Sequence, residues 1–141
     1  MHVTEIPIHK LMGMQLAAAG APHILELPES PLLLNHVESI HAGVQFALAE
    51  ACSGEFLLRH FGSDPREVFA VLRTSKVKFR GPAHGNLRAS ARLEEKPGAP
   101  PTDELASRGR TFAAVLVEVT DANGVVTMSG RYEWFLRRQT E

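Results

Sequence analysis

Asn35-His36-Val37-Glu38-Ser39-Ile40-His41-Ala42-Gly43-Val44-Gln45-Phe46-Ala47-Leu48-Ala49-Glu50-Ala51-Cys52-Ser53-Gly54 is the stretch whose reading decides the fold. It begins as a polar loop and continues as a nearly wholly apolar helix. A helix apolar on almost every side is a buried helix. Its one charged side chain between His41 and Glu55 is Glu50, and a buried carboxylate is costly unless something satisfies or uses it. The residues three and four positions away are Phe46, Ala47, Ser53 and Gly54. None is cationic, so no ion pair along the helix surface is available. Three readings of Glu50 follow: a group whose partner comes from elsewhere in the fold, a catalytic base, or a wet and idle acid at the mouth of a groove.

Upstream, Pro7 to Gly20 allows two readings. One is an amphipathic helix interrupted by Gly13. The other is a short helical turn over Pro7 to Leu11, a strand from Gly13 to Ala18, and a second strand from His23 to Leu27 after the Ala19-Gly20-Ala21-Pro22 turn. The second is preferred. The main helix is expected from about Ala42 to about His60, with His41 at its mouth and Gly62-Ser63-Asp64-Pro65 ending it. Downstream the period changes to two. Glu67 to Arg80 places Val77 and Phe79 opposite Lys76, Lys78 and Arg80. Gly81 to Asn86 turns the chain. Leu87, Ala89, Ala91 and Leu93 then alternate with Arg88, Ser90, Arg92 and Glu94, the cleanest half-buried strand. Lys96 to Arg108 reads as a loop, Gly109 to Thr120 as a long strand, Asp121-Ala122-Asn123-Gly124 as a hairpin turn, and Val125 to Arg138 as the return strand.

One buried helix followed by consecutive antiparallel strands implies an α+β domain, with a curved sheet wrapped around the helix. Residues 1–141 fit one such domain. The edge strand and the outer sheet face would need cover, which favours a homodimer or a larger assembly. The 15 basic and 16 acidic side chains give a net charge of −1, without the basic surplus of a nucleic-acid binder. The single cysteine suits a reducing compartment and rules out an internal disulfide framework. No apolar run reaches membrane-spanning length. The acidic start, Met1-His2-Val3-Thr4-Glu5, does not read as a secretion signal, so a cytoplasmic protein is expected.

The run from Asn35 to Glu50 resembles the hotdog-fold acyl-CoA thioesterases, particularly those of phenylacetate degradation. Their motif is an Asn, a His six residues later followed by two small residues, and a carboxylate nine residues after the His. Asn35, His41, Ala42-Gly43 and Glu50 match both spacings. Val77 to Gly85, Val119 to Gly124 and Leu11 to Met14 resemble later and earlier strands of that family. Ala42 departs from the Gly that many members carry, and Glu50 stands where some carry Asp.

The resemblance implies hydrolysis of an acyl thioester, acyl-CoA or acyl-carrier protein, with coenzyme A part of the substrate and no separate cofactor. It assigns Glu50 the role of general base or nucleophile, and the amides of Ala42 and Gly43 that of oxyanion donors. Asn35 would orient water or brace the loop, and His41 would shape the helix start. Phe46 would line the acyl groove, with Thr74 and Ser75 reaching the site across a subunit interface. Lys78, Arg80, His84, Gly85 and Arg88, with Lys76 and Arg92 beside them, are candidates for the coenzyme A end; a solvated basic face is the plainer reading of each. Cys52 is expected to be a buried, inert thiol. The seven histidines show no HExxH or Cys/His ligand spacing, so no metal is expected. Two other classes compete: a hotdog dehydratase or hydratase using His36, fourteen residues before Glu50, and a non-catalytic acyl-CoA-binding module.

Overall fold

The computed structural model describes residues 1–62, 64 and 66–140. Helix α1, Pro7–Met12, starts on Pro7, whose missing N–H costs nothing in a first turn. It ends at Gly13, which takes the left-handed conformation (φ 85°) and donates back into the last turn. The short strands β1 (Gln15–Leu16) and β2 (Leu25–Leu27) follow, as the second reading of the N-terminus expected. Helix α2, Ala42–Phe61, is the long central helix. Gly62, at φ 123°, ends it with an N–H donated to Leu58. Ser63 and Pro65, part of the expected helix stop, lie outside the described residues.

Strands β3 (Val68–Phe79), β4 (Leu87–Leu93), β5 (Arg110–Thr120) and β6 (Val126–Arg138) complete one antiparallel sheet. Its order is β1-β2-β4-β5-β6-β3, so β3 lies at an edge. Period-two alternation does its work here. Leu87 and Ala89 of β4, Val115, Val117 and Val119 of β5, and Met128, Tyr132 and Leu136 of β6 are buried against α2. Each such large apolar side chain contributes roughly 1.5–3 kcal/mol relative to exposure. The result is the hotdog arrangement, a sheet curved around one helix.

The expected loop from Lys96 to Arg108 is corrected: Pro101–Arg108 is a helix, α3. Pro101 opens it, Asp103 and Glu104 sit in the first turn where the helix dipole favours anions, and Gly109 at φ 74° closes it. Only Leu105 is buried, so the apolar periodicity was too sparse to reveal the helix. The proline cluster masked a start signal as a breaker.

The Asp121 turn closes as its residues dictate. Asp121 Oδ1 accepts from the N–H groups of Asn123 and Val125 at 2.9 and 3.2 Å, and Gly124 supplies the positive φ.

Candidate active site

The approach to α2 is set by Asn35. Its Oδ1 accepts from the N–H groups of Val37 and Ser39, and its Nδ2 donates to Ser39 Oγ at 2.9 Å. Both ends of the amide are therefore spent on bracing the loop. Its neighbour His36 is exposed. The braced loop is tied to the fold by Ile40 N–H donating to Ala83 and His41 N–H donating to Leu33. Ala83 belongs to the turn between β3 and β4, so its chain neighbours His84 and Gly85 lie close to the approach to α2. Gly85 takes φ 75°, and a Cβ there would stand 2.7 Å from that of Ala122.

His41 caps α2. Its Nδ1 accepts from Gly43 N–H at 2.8 Å, which leaves the proton of a neutral ring on Nε2. A Cβ on Gly43 would meet this ring at 3.0 Å; the small residue lets the imidazole fold over the tip. The Gly43 amide is thereby occupied. The Ala42 amide, exposed at the first helical position, has no acceptor among the described residues. It points out of the positive end of the helix, where a developing anion is stabilised.

Glu50 lies eight residues further on. At 1.5 Å per residue that is about 12 Å along the helix. Its side chain keeps 27% of its exposure and accepts no hydrogen bond among the described residues. Burial pushes its carboxyl above the usual carboxylate range, opposed by the charge of His9. His9 Nε2, from α1, is 3.9 Å from Glu50 Oε2. The turn that carries Glu50 is fixed from behind: Ser53 Oγ donates to the Glu50 carbonyl at 2.6 Å, and Trp134 Nε1 donates to Ser53 Oγ at 3.0 Å. Phe46, one turn earlier, packs edge-on against Tyr132 at 5.4 Å. Tyr132 O–H donates to the Phe46 carbonyl, and burial, then the Glu50 charge, push its phenol upward. The arrangement holds a reachable carboxylate with free lone pairs among apolar walls. Such a group can take a proton from water.

One turn beyond, the same helix stripe opens into an apolar cavity of about 230 Å³ lined by Val3, Ile6, Gly54, Leu57, Trp134 and Leu136. Cys52 is buried, its thiol pushed up to about 12 by burial. The remaining predicted residues are dispersed. Thr74 and Ser75 are exposed on edge strand β3, opposite Glu133 and Tyr132 of β6. Lys76, Lys78 and Arg92 line a groove of about 500 Å³ on the outer sheet face. Arg80 donates to Ser129 Oγ, and Arg88 is exposed on β4. No three His, Cys, Asp or Glu residues come together to hold a metal among the described residues, and no helix there is long and apolar enough to cross a membrane.

Sequence reasoning missed His9, Gln45 and Glu55. Gln45 is buried, and its Oε1 accepts from Thr127 Oγ1 at 2.7 Å. Glu55 was noted only as the end of the stretch in which Glu50 is the one charged side chain. Polar residues at core positions were the available signal for all three.

A family profile described as Domain of unknown function (DUF4442) matches residues 20–136. The chain belongs to the DUF4442 family. No curated protein matches the sequence. Among solved structures, the DUF4442 chain is similar to PA5026 from Pseudomonas aeruginosa, described as a protein of unknown function and probable thioesterase. The TM-score is 0.79 at 26% identity, covering 96% of this chain and 91% of that one. It is also similar to the thioesterase HI1161 from Haemophilus influenzae (TM-score 0.75, 16% identity, 99% and 88% covered). BH2602 from Bacillus halodurans, solved with CoA, matches with a TM-score of 0.70 at 20% identity, covering 92% of this chain and 74% of that one. The DUF4442 chain thus shares the hotdog fold of thioesterase-superfamily structures.

Proposed function

We propose that the protein hydrolyses acyl thioesters of coenzyme A or a carrier protein, in the manner of the phenylacetate-type hotdog enzymes. The observation that carries this reading is Glu50: half-buried, open to water, and free of hydrogen-bond partners among the described residues. Glu50 takes a proton from water as the water oxygen bonds to the thioester carbon. The carbonyl electron pair moves onto oxygen and is held by an Ala42 N–H. Collapse of this intermediate breaks the C–S bond, and the departing thiolate takes the proton from Glu50. The products are the free acid and the thiol.

A span of about 12 Å along one helix is too great for Ala42 and Glu50 of one chain to act on the same carbonyl. The working site therefore joins Ala42 of one copy to Glu50 of another. The edge strand supports such pairing. β3 is long, lies at the sheet edge, and exposes Phe69, Val71 and Phe79, which is a surface built for a second copy rather than for water. Thr74 and Ser75 sit on the same edge and come to the interface with it. The acyl group occupies the apolar cavity beyond Gly54, and the coenzyme A phosphates meet Lys78 and Arg80 at the end of β3.

Mixing two inactive variants tests the assignment. Ala42→Pro and Glu50→Gln chains, exchanged into random dimers, leave one intact site in each mixed dimer. About a quarter of wild-type thiol release from acyl-CoA should return. Recovery of nothing from a mixture shown to exchange would place both groups in one chain's site, or in none.

A further inference from the structure

We infer that His9 is a positioning residue for Glu50: it holds a titratable nitrogen against the carboxylate, at the end of a hydrogen-bond chain anchored on Glu55. The inference rests on the hydrolase reading of Glu50. The chain of contacts is continuous. Glu55, fully buried, accepts from Val3 N–H at 3.0 Å through Oε2. The Val3 carbonyl accepts from His9 Nδ1 at 2.8 Å. His9 Nε2 then stands 3.9 Å from Glu50 Oε2. The two carboxylates, five residues apart on α2, are thus linked through the N-terminal segment rather than along the helix.

The ring's protonation pattern follows from chemistry. A carbonyl oxygen can only accept, so Nδ1 keeps its hydrogen in both states of the ring. The nitrogen facing Glu50 is Nε2. The separation is too long for a hydrogen bond and short enough for a strong charge interaction in a half-buried place. Glu50 is thus favoured as an anion without spending a lone pair on its partner. His9 is 6% exposed and cannot swing away. The other titratable group that interacts with Glu50 is Tyr132 from β6, with Glu55, Arg59 and His2 forming the next cluster along the helix and Cys52 pointing away from Glu50 at two positions' remove. Among the described residues, His9 is the one potentially cationic side chain that another element sets within 4 Å of the carboxylate.

The sign follows. A protonated His9 offsets the burial that disfavours ionised Glu50, so it extends the base form to lower pH. Removing it should shift the acid limb of the kcat/KM profile upward.

The test compares His9→Asn with wild type over acyl-CoA hydrolysis. Asn Nδ2 can still donate to Val3 while nothing titrates. His9→Gln serves as a second variant. The Glu50 carboxyl carbon is followed in parallel by NMR with labelled glutamate, assigned by its loss in Glu50→Gln. Both the acid limb and the Glu50 midpoint should rise by about half a pH unit or more. In the unmodified protein the same carbon should show a second, smaller inflection as the neighbouring imidazole titrates. A loss of kcat with limb and midpoint unmoved, or the absence of that second inflection, overturns the inference while leaving Glu50 as the base. A Glu50→Gln chain that hydrolyses within a few-fold of wild type instead removes the hydrolase reading itself.

Discussion

Glu50 and Glu55 stand on one helix, five residues apart, and their surroundings leave one satisfied and the other not. Glu55 is the more deeply buried, with 1% of its side chain exposed, yet every demand it makes is met. His2 Nδ1 lies 2.6 Å from Oε1, Arg59 donates to the same oxygen at 3.4 Å, and Val3 N–H holds the other. Glu50 keeps more than a quarter of its exposure and accepts nothing among the described residues. A buried carboxylate with full hydrogen bonding is structure. A partly buried one left unpaired carries a raised proton affinity and free lone pairs, which is what a base needs. Depth of burial alone does not tell the two apart; the hydrogen bonds they accept do.

The largest expected effect separates the two by chemistry. Glu50→Gln should lower kcat by roughly 10²–10⁴, the usual worth of a positioned general base, with the thermal midpoint no lower than wild type. Steady-state thiol release and calorimetry together check this. Ala42→Pro comes next. It deletes the N–H assigned to the oxyanion, and roughly 10²–10³ in kcat should go with it. The helix should survive, because proline suits the first helical position and His41 already has the extended ψ of 135° that a following proline prefers. If Ala42→Pro keeps full activity, the amide has no part in the reaction.

Glu55→Ala reverses the pattern. It strands the Val3 N–H and frees the N-terminal segment, so stability should fall by about 2–3 kcal/mol in urea titrations. Activity below the melting range should fall far less than in Glu50→Gln. Neutralising Lys78 and Arg80 together should raise KM several-fold and leave kcat unchanged; an unaltered KM would move the coenzyme A phosphates elsewhere. The smallest effect concerns pH. Glu50 has a folded-state proton affinity raised by burial, so the folded chain is favoured when this group is protonated and loses that advantage as pH rises through its folded value. Glu50→Gln should therefore be slightly more stable than wild type at neutral pH, and the gain should vanish below the ordinary carboxylate range. A gain that persists in acid would mean that Glu50 is not strained by burial.

Much of the fold was legible because periodicity survives without tertiary information. The alternation from Leu87 to Leu93 and from Val125 to Arg138 could only be half-buried strand, and the apolar run after His41 could only be a buried helix. α3 was not legible, since one buried leucine in eight residues leaves no period to read. The geometry of the candidate site was legible where its parts lie close along the chain. Asn35, His41, Ala42 and Gly43 lie within nine consecutive residues, and their side-chain hydrogen bonds span four positions or fewer. His9 was not, because a contact across forty-one residues depends on where α1 packs.

The sequence by itself determined the helix, the strand order of faces and the position of a lone carboxylate in an apolar run, because local spacing decides which side chains share a surface. Tertiary structure decided which acid stays hungry. Val3, His2 and Arg59 converge on Glu55, while among the described residues Glu50 receives only a distant imidazole. Whether a buried charge is satisfied is settled by donors brought from other segments, and no spacing within the helix records their arrival.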